Sequence, residues 1–252
     1  MTSPRPPAWT LVSLRPRGGH DGLRRAAAAR GGRVLALSPW ALEARDDAAT
    51  RQALEHALQA QALVFTSPAA VRAAAALRPL RSRPGQHWLA VGEGTARALR
   101  RAGVAEVAAP ARMDSEGLLA LPGLRGVASV GLVTAPGGRG LIAAELAGRG
   151  VEVRRADVYE RVPLPPSATA LARLRALRPP ACLALSSAEA LRVVLEQWPA
   201  EAGTLLRRCA VAAASARLAE IAGAAGFAPV AVAASARPAA LAATAHTLLA
   251  AA

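Results

Sequence analysis

Two adjacent hydroxyls at the start of a helix form the first chemically useful feature of this chain. In Leu63-Val64-Phe65-Thr66-Ser67-Pro68-Ala69-Ala70-Val71-Arg72 an apolar, β-favouring segment runs into a helical one. Ser67 is a good N-cap, and Pro68 suits the first helical position, where its missing N–H costs nothing. The junction offers unpaired N–H groups, two hydroxyls and the positive end of a helix dipole, so its natural ligand is an anion.

The junction recurs. Leu183-Ala184-Leu185-Ser186-Ser187-Ala188-Glu189 repeats it, with Ser187 lying 120 residues after Ser67. Ala90-Val91-Gly92-Glu93-Gly94-Thr95-Ala96 returns at the same offset as Ala210-Val211-Ala212-Ala213-Ala214-Ser215-Ala216. A third pair links Val12 to Ala36, which holds Arg15, with Val133 to Ala156, which holds Gly137-Gly138-Arg139. Three matches in one order point to duplication into two similar lobes. In the second copy Ala212 and Ala214 stand where the first has Gly92 and Gly94, and alanine takes positive φ only at a cost. Contacts to a ligand are therefore expected to differ more there.

Other constellations carry less. His20, His56, His87 and His246 are dispersed without metal-ligand spacing, and surface or capping roles are expected for them. Gly92-x-Gly94 and Gly137-Gly138 lack a full dinucleotide fingerprint. The serines lie in no nucleophile elbow. Asp46-Asp47 and the pair Asp157, Glu160 read as helix-start or surface carboxylates. Tyr159, the single tyrosine, reads from composition alone as a half-buried strand residue with its hydroxyl in solvent.

These groups need a scaffold, and composition supplies one. A hydrophobic content of 53% is ample for a core, and with only 3% aromatics that core must be mostly Ala, Leu and Val. The net charge of +14 comes from arginine alone among basic residues. It has two readings: a GC-rich coding background on a solvated surface, or a positive field that concentrates an anionic ligand. The arginines are scattered and the tryptophans far apart, so no nucleic-acid partner is expected. Cys182 and Cys209 are too few for a disulfide framework and fit buried thiols in a reducing compartment. No membrane span or signal core is apparent. A soluble, cytoplasmic monomer is expected.

Along the chain, Thr10 to Leu14 and Val34 to Leu37 read as strands around a helix from Gly22 to Ala29, capped by Asp21 and ended by Gly31-Gly32. Asp47 to Ala60 reads as an amphipathic helix with Ala49, Ala53, Leu54, Ala57 and Leu58 inward. His87 to Val91 is a strand, Thr95 caps a helix that stops at Gly103, and Val104 to Val107 is a short strand. Asp114 or Ser115 caps the next helix. Val130 to Thr134 is a strand, Pro136 to Gly140 a turn leading to a helix that runs to about Ala147, and Val151 to Tyr159 one long strand. Pro163-Leu164-Pro165-Pro166 reads as a stiff linker. Ser167 caps a helix to Leu177, Phe227 to Ala233 include a strand, and Ala239 to Ala250 form the terminal helix. Alternating strands and helices demand parallel sheets covered on both faces, with ligands at the carboxyl ends of the strands.

Several of these segments, in their order and spacing, resemble the uroporphyrinogen-III synthase family. They are Leu11-Val12-Ser13-Leu14-Arg15-Pro16, Phe65 to Val71, Val91 to Ala96, Ser115-Glu116-Gly117-Leu118-Leu119, Gly137-Gly138-Arg139 and Val158-Tyr159-Glu160-Arg161. The resemblance implies an α/β fold of two similar lobes, each a parallel sheet flanked by helices, joined by a two-strand linker. The first lobe would hold residues 1–38 plus 165–252, the inserted second lobe 41–160, with crossings near 37–42 and 158–164. The implied reaction, in tetrapyrrole and heme biosynthesis, closes hydroxymethylbilane to uroporphyrinogen III with inversion of the last pyrrole ring, using no cofactor or metal.

That substrate, a linear tetrapyrrole polycarboxylate, gives the junctions a purpose. Helix N-termini at Ser67, Thr95, Ser187 and Ser215 could each favour a carboxylate by about 0.3–1 kcal/mol. Arg15 and Arg139 could add charge-assisted pairs. The full expected binding set is Arg15, Thr66, Ser67, Gly92, Thr95, Gly138, Arg139, Ser186, Ser187 and Ser215. The resemblance assigns Tyr159 to help the substrate hydroxyl depart. The alternative is a two-lobed protein that binds a small anion without catalysis.

Overall fold

The computed structural model describes residues 9–111, 115–137 and 140–251. The chain divides into two compact units. Unit 1 comprises Met1–Ala41 with Val162–Ala252, and unit 2 comprises Leu42–Arg161.

Unit 1 opens with β1 (Trp9–Ser13), α1 (Asp21–Ala28) and β2 (Gly32–Ala36). The chain leaves it through β3 (Trp40–Ala44). Unit 2 then runs α2 (Ala48–Leu58), β4 (Ala62–Phe65), α3 (Pro68–Leu77), β5 (His87–Ala90), α4 (Glu93–Arg101) and α5 (Ser115–Leu119). It continues with β6 (Ser129–Thr134), α6 (Leu141–Gly148) and β7 (Glu152–Asp157). The chain returns through β8 (Tyr159–Pro163). Unit 1 is completed by α7 (Ala168–Arg175), β9 (Ala181–Leu185), α8 (Ala188–Gln197), α9 (Ala200–Leu206), β10 (Ala210–Ala213), α10 (Ala216–Ala224), β11 (Val230–Val232) and α11 (Pro238–Ala250).

Each unit is built on a parallel sheet, in the order β11-β10-β9-β1-β2 in unit 1 and β5-β4-β6-β7 in unit 2. The two crossing strands, β3 and β8, pair with each other. In β4 the pleat sends Leu63 and Phe65 to one face, where they meet Leu54, Trp88 and Leu99, and Ala62 and Val64 to the other, with Leu118, Leu132 and Leu146. Both faces are covered, so all four residues of β4 are buried. Burying each large apolar side chain contributes roughly 1.5–3 kcal/mol. In unit 1 the corresponding layer joins Leu11, Cys182, Ala184 and Ala212 to Leu23 of α1 and Leu241 of α11. Alanine is the commonest residue of the Phe65 layer and of the unit 1 layer, and leucine of the Val64 layer, as the scarcity of aromatics demands.

Several local expectations are corrected. Asp21 is the first residue of α1 rather than its cap: its carboxylate accepts from Arg24 Nη1 at 2.9 Å, and His20 occupies the capping position without a side-chain cap. Ala49 is exposed, and Thr50 takes its place on the inward face of α2 beside Leu54 and Ala57, with Ala53 and Leu58 partly buried against the same core. Thr95 does not cap α4. Gly92 does so through its backbone in extended conformation, because Glu93-Gly94 already turn helically, and Thr95 lies buried in the first turn. Val104 to Val107 form no strand; past Gly103 the chain touches the sheet edge through one isolated bridge, Leu89 with Ala108. The long strand from Val151 breaks at Val158, whose N–H bonds the Thr134 carbonyl at 3.0 Å while its own carbonyl accepts from Arg45 N–H at 3.0 Å. The proposed cap Asp114 lies outside the described residues, and Ser115 begins α5.

His20 is also corrected. It is buried at 3% exposure, not on the surface, with Nδ1 2.9 Å from Ser13 Oγ and Nε2 2.8 Å from Ser38 Oγ. A neutral ring satisfies this clamp, one nitrogen donating and the other accepting. Burial first, then the charges of Arg24 and Arg15, push its pKa down to about 4. A depressed histidine stabilises the fold above its ordinary value near 6.5, and that stability is lost as pH falls from there through about 4. Acidification across this window should cost of the order of 2 kcal/mol, or about 5 °C in thermal midpoint. The loss should be mostly absent in His20→Gln. Parallel melting curves for parent and variant from pH 7 to 4 would contradict this.

Candidate functional site

The chemistry-bearing residues of unit 2 converge where β4 and β6 end. Ser67, extended, places its Oγ to accept from Ala70 N–H at 3.1 Å, and Pro68 follows at the first helical position of α3. Thr66 N–H bonds the Val133 carbonyl at 3.1 Å, and its hydroxyl meets Thr134 Oγ1 at 2.8 Å, which ties the two strand ends together. Val158, held on Thr134, delivers the next residue, Tyr159, to the same place. The Tyr159 ring is buried at 5% exposure, and its Oη lies 3.1 Å from Ser67 Oγ. The hydroxyl therefore sits against a helix N-terminus, not in solvent.

These groups border a cavity of about 250 Å³ together with Arg155, Arg161 and the start of α6 at Gly140 and Leu141. Gly140 adopts φ +65°, a left-handed conformation that glycine takes without strain, and so turns the chain into α6. Among the described residues, the lining holds two guanidinium groups and no carboxylate. The N-termini of α3 and α6 both lie on it. The summed field favours an anionic or electron-rich ligand.

The two arginines differ. Arg155 is engaged: its Nε lies 3.0 and 3.1 Å from the Asp157 carboxylate oxygens, and Nη2 donates to the Ala135 carbonyl at 3.0 Å, pinning the start of the following loop. Arg161 lies two residues beyond Tyr159 in β8, on the same face of the strand. Among the described residues, none pairs with or hydrogen-bonds its guanidinium.

Of the sequence-selected residues, the structure thus brings Thr66, Ser67 and Tyr159 together. Gly92 and Thr95 stand at the end of β5, outside the described lining of this cavity. Gly138 and Arg139 lie outside the described residues. In unit 1, Ser187 caps α8 by accepting from Ala190 N–H at 3.2 Å, with exposed Ser186 before it, and Ser215 caps α10 through Leu218 N–H at 3.4 Å. These serines and Arg15 follow the adjacent strands β9, β10 and β1 at the carboxyl edge of one sheet. Arg15 is half-buried, and burial lowers its pKa. Its Nη2 reaches the Ala236 carbonyl at 3.4 Å, while its buried Nε has no partner.

Sequence reasoning overlooked Thr134, Arg155 and Arg161. For Arg161 a signal existed: strand alternation places residue 161 beside 159. Cys182 and Cys209 are free and buried, with burial pushing their thiols up to about 12 and about 11. Among the described residues no His, Cys, Asp or Glu cluster could hold a metal. No described helix is long and apolar enough to cross a membrane.

The fold is similar to that of a mutant uroporphyrinogen III synthase from the extremely thermophilic bacterium Thermus thermophilus, at 20% identity and a TM-score of 0.60, over 93% of this chain and 96% of that one. It is also similar to uroporphyrinogen-III synthetase from Helicobacter pylori, at 18% identity and a TM-score of 0.62, over 95% and 99% of the respective chains. No curated protein matches the chain. The family model described as uroporphyrinogen-III synthase HemD matches residues 21–243. The chain belongs to the uroporphyrinogen-III synthase family, the cyclising lyases of tetrapyrrole biosynthesis.

Proposed function

We propose that the unit 2 cavity carries the reaction of this family, closure of hydroxymethylbilane to uroporphyrinogen III, with Tyr159 as its proton donor. The observation that carries this reading is the Tyr159 hydroxyl, fixed on a helix N-terminus at the edge of a cation-lined cavity.

The electron-rich terminal pyrrole of the substrate already tends to expel its hydroxide. As the C–O bond breaks, the phenol O–H gives its proton to the leaving oxygen, which departs as water. The pyrrole nitrogen lone pair stabilises the carbon cation left behind. The last pyrrole, at the far end of the chain, attacks that cation through the carbon that already bears its bridging methylene, giving a spiro intermediate. The bond from that carbon to its old methylene then breaks, leaving a new cation on the neighbouring ring's methylene. The free α-carbon of the now inverted ring attacks this second cation, and loss of one proton from that carbon, taken back by the phenolate oxygen, restores the aromatic rings. The sum is bilane to macrocycle plus water, with Tyr159 unchanged.

The remaining task is orientation, since unassisted closure yields the uninverted isomer. Carboxylates held at fixed points restrict the last ring to the inverted approach. Arg161 is placed to hold one of them in unit 2. We infer that Arg15, Ser186, Ser187 and Ser215 hold others in unit 1, as do Gly92, Thr95, Gly138 and Arg139 in unit 2. Arg15 has the strongest support, because its buried Nε is unpartnered. We infer that the protein acts as a cytoplasmic monomer; its free buried thiols favour a reducing compartment over an oxidising one.

A coupled assay from porphobilinogen tests the function. With the preceding enzyme alone, the uninverted isomer accumulates; adding this protein should turn the product to isomer III. The uninverted isomer in both tubes would support the binding-protein alternative. Arg161→Gln should raise KM about tenfold, the loss of about 1.4 kcal/mol from one partly exposed charge-assisted pair, with kcat changed by less than about threefold. An unchanged KM would remove Arg161 from the binding set.

A further inference from the structure

Ser67 makes two contacts with one oxygen. Its Oγ accepts the Ala70 N–H at 3.1 Å and faces Tyr159 Oη at the same separation. It carries one hydrogen, and that hydrogen is not used by the cap. The neighbouring hydroxyl does not compete for it, because Thr66 is taken up with Thr134 at 2.8 Å. A serine oxygen that already accepts a backbone N–H at the positive end of a helix is a polarised, improved donor and a poorer second acceptor.

We propose that Ser67 is a positioning residue that donates its hydroxyl hydrogen to Tyr159 Oη, so that the phenol hydrogen is turned away from α3 and into the cavity. The opposite arrangement, Tyr159 donating to Ser67, would bury the phenol hydrogen in the cap and leave none for the substrate. The donated hydrogen also stays on the phenolate oxygen after proton transfer, when negative charge is greatest there. The N-terminus of α3 adds its dipole in the same direction. Ser67 thus acts on the reaction through Tyr159 and need not touch substrate. This inference rests on the role given to Tyr159 above, and its test separates the two.

The informative variant is Ser67→Gly. Glycine is a tolerable N-cap, losing only a few tenths of a kcal/mol relative to serine in the general case. This chain already uses one, Gly92, in extended conformation at the start of α4. Ser67→Gly therefore keeps the helix while removing the donor. Its kcat for isomer III formation should fall about tenfold with KM unchanged, and Ser67→Thr, which keeps cap and donor, should recover most of that loss. In a Tyr159→Phe background Ser67→Gly should cost nothing further in kcat. If Ser67→Gly turns over like the parent while Tyr159→Phe is slow, the positioning role is overturned and the Tyr159 role stands. If Ser67→Gly costs the same factor with or without the phenol, its effect is structural and the proposal is again overturned. If Tyr159→Phe itself turns over like the parent, the underlying role of Tyr159 fails first.

Discussion

Tyr159→Phe is expected to form isomer III about 100-fold more slowly than the parent, with little change in KM. General acids contribute roughly 10²–10⁴ to rate. The low end applies here because an electron-rich pyrrole expels hydroxide with modest help. The substitution keeps the ring, which is packed in the same cluster as Phe65 and Val158. It removes one hydrogen bond, to Ser67, worth about 1 kcal/mol. The thermal midpoint should therefore move by only a few degrees while turnover collapses. Steady-state isomer analysis and a melting curve on the same preparation check both halves. A variant with parent rates, or one that loses rate only because it is unfolded, would contradict the assignment.

Gly131→Ala should be the most destabilising conservative change in unit 2. Gly131 sits within β6, between β4 and β7, with α2 lying directly over it. A Cβ there would overlap the Ala57 carbonyl oxygen and approach Leu63 Cδ2 to 2.7 Å. The oxygen is backbone near the end of α2, where it also accepts from Ala60 N–H at 3.1 Å, so it cannot rotate aside. Relief requires α2 to lift, which opens the core around Leu54 and Ala57. Overpacking of this kind costs about 3 kcal/mol, near the upper end of its usual range. For a unit of this size that is about 10 °C in midpoint, readable by calorimetry. A midpoint within 2 °C or so of the parent would show that the layer yields more easily than this packing allows.

The parts legible in the sequence were those with local causes. Ser67, Ser167, Ser187 and Ser215 all cap the helices they precede, because a hydroxyl three residues before a free N–H is a local geometry. The parallel order followed from alternation, and the conjunction of Thr66 and Ser67 at a strand end was readable from the same rule. What failed was non-local or a matter of competing caps. Thr95 lost its capping place to a glycine three residues earlier. The break at Val158 comes from hydrogen bonds to Thr134 and Arg45, distant in sequence. α9 was not anticipated, since Ala200–Leu206 lacks a side-chain cap, and β3 was expected only as one of the two crossing strands that the resemblance implies, because Trp40–Ala44 is only partly buried. His20 was misplaced because its two serine partners are brought to it by the fold. Arg155 resembles any surface arginine until the Ala135 carbonyl is seen beside it.

The central claim is that Tyr159 supplies a proton to the departing hydroxyl. Its most direct test is single-turnover kinetics of parent and Tyr159→Phe with two bilanes. One is hydroxymethylbilane; in the other an acetoxy group, which leaves without first taking a proton, replaces the terminal hydroxyl. The account predicts that the variant lags about 100-fold on the first, the effect of losing a general acid, and keeps pace with the parent on the second. An equal lag on both substrates would contradict proton donation and leave Tyr159 a purely steric part of the cavity wall.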